Sequence, residues 1–303
     1  MKLKYAIRGL ILASAAPIAV MATPVFAQSS EMSHLGIPVD RIGLVAFTIR
    51  DQIAADARGA VEAVAACGIP NIEFSFSNFD GGVASFQGIP VSDIVTMSSE
   101  LGFAVPSLGV SGADLTDRLD QVIAAAQAVG ASYVRISGAR PAEGATQTEA
   151  EYLAFAEILN NAGGPLNEAG IMPLYHNHGW EFEALADGRT GMDVLFAETN
   201  PETVGFELDL YWTEVGGGNA LDLIAANPGR FPAFHVKDAQ TVTTDGVETT
   251  TFATVGQGFI DFGTILAQAE VAGAEYFFIE NDQPQPDGIT SACESYAYIT
   301  GTP

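Results

Sequence analysis

The sequence predicts an α/β protein folded as one closed (β/α)8 TIM barrel, a single domain behind a cleaved signal peptide. Three observations predict it. A unit of short apolar strand, polar or Gly-rich turn and Ala-rich amphipathic helix recurs eight times between Arg41 and Tyr298. The strand segments are continuously apolar instead of alternating, as strands covered by helices on a parallel sheet must be. Eight such units in about 260 residues match a closed barrel better than an open doubly wound sheet, which has fewer strands and a glycine-rich first turn.

Residues 1–27 read as a secretory signal. Lys2, Lys4 and Arg8 form a basic head, an apolar run follows from Gly9 to Met21, and Val25-Phe26-Ala27 supplies small residues for cleavage. The run is shorter than the roughly 20 residues that span a bilayer. Residues 28–40 are a lead-in, and 41–303 form the barrel. The predicted units pair Ile42–Phe47 with a helix over Asp51–Cys67, stopped by Gly68, and Ile72–Phe76 with Val91–Leu101. Ala104–Leu108 pairs with Leu115–Val129, and Tyr133–Ile136 with Glu149–Ala169. In the second half, Ile171–His176 leads to Met192–Glu198, Val204–Leu208 to Ala220–Ala226, Phe231–Val236 to Asp261–Ala272, and Tyr276–Ile279 to Ile289–Tyr298. Asp261 reads as a helix N-cap. Gly256-Gln257-Gly258 comes late and lacks the third glycine of a dinucleotide-binding turn.

Charge excludes whole classes of partner. The formal charge of −25 falls to −28 once residues 1–27, with three basic residues and no acid, are removed. Such a field repels nucleic-acid backbones and anionic lipid, so neither nucleic acid nor a membrane surface is expected as a partner after signal cleavage. Export implies a periplasmic or secreted location. Closure of the barrel sets the first and last helices side by side, where Cys67 and Cys293 lie. The two thiols either bridge there or remain as buried free cysteines.

In a parallel barrel the reactive groups sit at the carboxyl ends of strands and in the loops after them. Those positions hold Glu73 after the second strand, His176, His178 and Glu181 after the fifth, and Asp209 and Trp212 after the sixth. His235 and Lys237 follow the seventh, and Glu280 and Asp282 the eighth. Three of the chain's four histidines and its only lysine beyond residue 4 are in this set. Carboxylates and imidazoles on one rim are what a divalent cation needs, with positions left open for a substrate. Glu73 and Asp282 read equally as solvated loop acids, Asp238 as the residue that orients the His235 loop, and Glu207 has no assigned role.

At these strand ends the chain resembles the sugar phosphate isomerase/epimerase superfamily, whose barrel is like that of xylose isomerase. Four segments carry the resemblance, in the family's order and spacing: Tyr175-His176-Asn177-His178-Gly179-Trp180-Glu181-Phe182, Glu207-Leu208-Asp209-Leu210-Tyr211-Trp212, Arg230 to Asp238, and Val255-Gly256-Gln257-Gly258. The resemblance implies a divalent metal (Mn, Mg, Co or Zn) held by Glu181, Asp209, His235 and Glu280, with His176 or His178 as a proton-transfer or substrate group. In the reverse arrangement His176 is the ligand. Trp212 stands where many relatives carry histidine, which would offer a sugar a stacking face. The third strand ends in Ser107-Leu108-Gly109-Val110, without His or acid, so a multi-zinc site like that of related DNA-repair endonucleases is not expected.

The chemistry follows from these groups. Glu181 and Glu280 with His176 and His178 are the candidate acids and bases, and Trp212, Lys237, Trp180 and Glu73 the candidate substrate contacts. The expected function is metal-dependent isomerisation or epimerisation of an uncharged or oxidised sugar, by proton abstraction next to a carbonyl. A keto-glycoside lyase or hydrolase using the same site is one alternative, and a periplasmic sugar-binding protein without turnover is another.

Overall fold

Continuously apolar strands need cover on both faces, and here the parallel sheet closes into a ring inside a layer of helices. In the computed structural model the described residues are 31–138, 141 and 146–302. The expected signal peptide, residues 1–27, lies outside them. The strands are β1 (Ile42–Val45), β2 (Asn71–Glu73), a short hairpin of β3 (Ser85–Phe86) and β4 (Ile89–Pro90), β5 (Ser107–Gly109), β6 (Tyr133–Ser137) and β7 (Met172–His176). There follow β8 (Gly205–Asp209), β9 (Ala233–Val236), a longer hairpin of β10 (Asp238–Thr244) and β11 (Val247–Ala253), and β12 (Tyr276–Ile279). Eight of them form one parallel sheet in the order β2-β1-β12-β9-β8-β7-β6-β5. Bridges Asn71–Ala104 and Phe74–Leu108 join β2 back to β5 and close the barrel.

The outer layer is α1 (Arg50–Ala66), α2 (Val91–Leu101), α3 (Gly112–Asp117), α4 (Leu119–Val129), α5 (Glu149–Glu168) and α6 (Gly191–Glu198), then α7 (Leu210–Val215), α8 (Ala220–Ala226), α9 (Phe262–Leu266), α10 (Ala269–Ala272) and α11 (Gly288–Thr300). The local chemistry explains most boundaries. Thr148 and Ser111 open α5 and α3 with capping boxes closed by Glu151 and Asp114. Asp261 caps α9 by accepting from the Thr264 amide, as its position predicts.

Two expected helices are each divided. Leu115–Val129 breaks at Arg118, whose φ of −138° is not helical. Asp261–Ala272 becomes α9 and α10. The β10–β11 hairpin is new, because its threonine-rich, exposed arms do not alternate in hydropathy. Its turn is Asp245-Gly246, both with positive φ, between the paired Thr244 and Val247, and Asp-Gly is the dipeptide that a two-residue hairpin loop prefers. The Cys67–Cys293 question resolves as a disulfide, with Cα atoms 5.6 Å apart, and it ties α1 to α11.

Candidate metal centre at the carboxyl end of the barrel

Four of the site's side chains, Arg135, His176, His235 and Glu280, stand two residues beyond a buried apolar one. Val45, Tyr133, Leu174, Ala233 and Phe278 pack as a group separate from the main core. Two residues further on, and therefore on the same face, come Phe47, Arg135, His176, His235 and Glu280. Residues 207 and 209 of β8 share a face for the same reason, and both carboxylates are fully buried. A polar tier thus lies on an apolar plug.

Four ligand-type side chains converge in this tier. His176, Asp209, His235 and Glu280 are all buried, and each offers one ligating atom within 4.8 Å of the others. His176 Nε2 lies 2.9 Å from His235 Nδ1 and 3.4 Å from Asp209 Oδ2. His235 Nδ1 lies 2.9 Å from Glu280 Oε2 and 3.7 Å from Asp209 Oδ2. A cation with ligands at about 2.1 Å spaces adjacent ligand atoms about 3.0–3.4 Å apart, so the group has the dimensions of a coordination shell. Asp209 makes the fit specific. Its Oδ1 caps α7 by accepting from the Trp212 amide at 2.8 Å, while its buried Oδ2 is turned the other way, towards His176, His235 and Lys237. Two imidazoles and two carboxylates suit a divalent ion in charge and donor type.

Asp209, His235 and Glu280 come together as expected, but the fifth-strand member is His176 and not Glu181. The reason is chain direction. His176 ends β7 with its side chain inward, whereas Glu181 lies in the turn beyond, where it accepts from the Tyr175 hydroxyl and the His178 amide, each at 2.8 Å. Burial raises Glu181 to about 7. Burial, with His235 adding to it, lowers His176 to about 4, so its ring is neutral. On His235 burial opposes charge, but Glu207 and Glu280 outweigh it and hold the ring protonated above its ordinary range. A cation at Nδ1 replaces that proton.

Lys237 stands beside the cluster, 2.7 Å from Glu280 Oε2, 3.0 Å from Asp209 Oδ2 and 3.1 Å from Asp282 Oδ1. Burial disfavours its ammonium, yet these carboxylates overcome that and raise its pKa. Each carboxylate oxygen has two lone pairs, so contact with Lys237 leaves one for a metal. Asp282 is accordingly not a solvated loop acid. Burial raises it to about 6 despite Lys237.

The site opens into a cavity of about 480 Å³ whose wall includes Phe47, Phe76, Ser111, Arg135, His178 and Lys237. His176, Glu280 and Asp282 also reach it. Other expected substrate contacts lie elsewhere. Trp180 stacks flat on His178, with centroids 4.3 Å apart and planes at 9°, and Trp212 packs 5.5 Å from the same ring, so both tryptophans brace His178. Glu73 lies under the floor, fully buried. It accepts from Arg135 Nε and Ser107 Oγ, each at 2.6 Å. Asp238 accepts from the Ala239, Gly256, Gly258 and Ile260 amides, so its carboxylate ties the chain after His235 to the loop at residues 256–260. A Cβ at Gly258 would lie 2.2 Å from the Ala239 carbonyl oxygen, which is why glycine stands there. Sequence reasoning missed Arg135 and left Glu207 without a role. The signal for Arg135 was one guanidinium inside the apolar strand Tyr133–Ile136.

A closed parallel barrel with a two-histidine, two-carboxylate cluster at its carboxyl end defines a class, the TIM barrels that carry a metal-type centre in the strand-end loops. The profile of the Xylose isomerase-like TIM barrel family matches residues 61–297, and the chain belongs to that family. Among known proteins it is similar to an inosose dehydratase of Geobacillus thermodenitrificans (strain NG80-2), at 24% identity over 151 residues, 46% of this chain and 49% of the relative. The match therefore spans about half of that relative's length. A sugar phosphate isomerase/epimerase structure from Parabacteroides distasonis superposes with a TM-score of 0.73 at 20% identity, covering 88% of this chain and 96% of the other. A xylose isomerase-like TIM barrel protein from Mycobacterium smegmatis, in complex with magnesium, superposes with a TM-score of 0.64 at 14% identity over 86% of this chain and 96% of the other.

Proposed function

We propose that the protein is an exported, divalent-metal-dependent sugar isomerase or epimerase that moves a proton next to a carbonyl on an uncharged or oxidised sugar. The observation that carries the reading is the convergence of His176, Asp209, His235 and Glu280 at the mouth of the barrel. These four would hold the cation, with manganese, magnesium, cobalt and zinc as the candidates. When bound, it would supply Lewis acidity to a carbonyl and an adjacent hydroxyl.

The remaining steps belong to the chain. Lys237, pinned by three carboxylates, presents a fixed positive charge to a substrate oxygen. His178 lines the cavity, burial keeps its ring neutral and its Nδ1 has no hydrogen-bond partner, so it can take a proton while Trp180 holds its ring. Glu181 acts through His178, whose backbone amide it accepts. The two cations on the wall, Arg135 and Lys237, are each already paired with carboxylates, which favours a substrate without a phosphate. The disulfide supports an oxidising compartment. A second reading, elimination from a keto-glycoside or related keto sugar, is favoured by His178, since burial keeps its ring neutral and it could take the proton next to the carbonyl as the leaving group departs.

The test has two arms. Chelator-treated wild type should take up one divalent ion per chain and Asp209→Ala none. Wild type should then exchange a carbon-bound proton for deuterium on a member of a panel of keto sugars and glycosides. A wild type that binds sugar equally well in chelator and exchanges nothing would instead be a binding protein.

A further inference from the structure

Beneath the four-residue cluster lies a second buried group, Glu73, Glu207 and His235, with Arg135 against it. His235 belongs to both tiers. Its Nδ1 faces the cluster, and its Nε2 faces down, 2.9 Å from Glu207 Oε2 and 3.5 Å from Glu73 Oε1. The two carboxylates are not equivalent acceptors. Both oxygens of Glu73 are taken, Oε1 by Arg135 Nε at 2.6 Å and Oε2 by Ser107 Oγ at 2.6 Å. Glu207 is fully buried, and its Oε2 meets His235 Nε2 as a close charged contact that is not aligned as a linear hydrogen bond; neither Glu207 oxygen nor His235 Nε2 has an aligned hydrogen-bond partner among the described residues. Arg135 Nε, 3.3 Å from Glu207 Oε2, supplies the charge that lets the acid remain in the barrel interior.

We infer that Glu207 is the positioning residue of the metal centre: it holds the proton of His235 on Nε2 and so turns the Nδ1 lone pair to the cation. The inference rests on the metal reading above. A carboxylate behind a ligating imidazole fixes its tautomer and raises its basicity, and loss of such a partner costs about 10- to 100-fold in metal affinity. Arg135 has a complementary part. Its guanidinium occupies the side of Glu73 and Glu207 where a second cation would otherwise be drawn, which leaves the pair to serve one metal.

The experiment compares wild type, Glu207→Gln and Glu73→Gln as full-length exported protein, using Co²⁺ and Zn²⁺ as probes. Glu207→Gln should bind both ions roughly 10- to 100-fold more weakly, with an altered Co²⁺ visible absorption spectrum. Glu73→Gln removes a neighbouring buried charge without removing the nearer acceptor, and should stay within about threefold of wild type by the same measure. Four histidines in the chain make ring ¹⁵N spectra assignable. In Zn²⁺-loaded wild type, His235 should show a protonated Nε2 and a metal-bound Nδ1. Metal on Nε2 overturns the inference without recourse to any variant, and so does an equal loss of affinity in the two glutamine variants or no loss in Glu207→Gln. If wild type takes up neither ion, the metal reading falls and the inference with it.

Discussion

Removing the bridge between α1 and α11 should cost the barrel much of its stability while leaving its chemistry intact. The Cys67–Cys293 disulfide closes a loop with a sequence separation of 226. For that length, loop-closure entropy withheld from the unfolded chain amounts to about 5 kcal/mol at 25 °C. That is a large part of the roughly 5–15 kcal/mol of a typical domain. Residual structure in real denatured chains reduces the figure, so Cys67→Ser combined with Cys293→Ser should lower the unfolding free energy by about 3–5 kcal/mol. Both cysteines are only partly buried, so the serine hydroxyls add little of their own. The assay is guanidinium unfolding of oxidised wild type, reduced wild type and the double variant, followed by tryptophan fluorescence and circular dichroism. The last two curves should coincide at a lower midpoint. Cys67 follows the carboxyl end of α1, at the end of the barrel opposite the metal centre, so metal affinity should not move. A double variant within about 1 kcal/mol of oxidised wild type would refute the reasoning, as would alkylation of both thiols in denatured, unreduced protein.

A divalent ion at 100 times its dissociation constant should add about 2.7 kcal/mol, or roughly 5–10 °C in melting temperature for a domain of this size, and scanning calorimetry of Asp209→Ala should show no such shift. Arg135→Ala strands Glu73 and Glu207 in the barrel interior and should cost about 3–5 kcal/mol in urea unfolding, with Arg135→Lys falling between it and wild type. Glu181 is an acid whose folded pKa, about 7, lies above its ordinary 4.5 because of burial. Between those values the folded state binds the extra proton, so its contribution is fully present below pH 4.5 and is lost as pH rises towards 7, by about 3 kcal/mol. Unfolding free energies of metal-free wild type at pH 5 and 7.5 should therefore differ more than those of Glu181→Gln.

The ring of strands was legible because burial on both faces leaves a signature that needs no partner, a continuous apolar run. Asp209, His235 and Glu280 were legible because strand ends in such a ring face one place. His176 and Glu181 were exchanged although the strand ends at His176 as predicted, because the resemblance asks for an acid there and residue type alone does not say which side chain turns inward. Arg135 and Glu207 escaped for a different reason. A charge inside a strand is costly alone and acquires meaning only from its mate on another strand, here 72 residues away in number and two strands round the barrel in space. The β10–β11 hairpin was hidden by polar arms, although its Asp245-Gly246 turn was in plain view.

Lys237 has a practical corollary. No other lysine follows residue 4, and this one is only 1% exposed. An acylating reagent applied to the native protein is denied the Lys237 amine and gains it once the fold opens. The mass of the acylated product therefore counts opened molecules one by one.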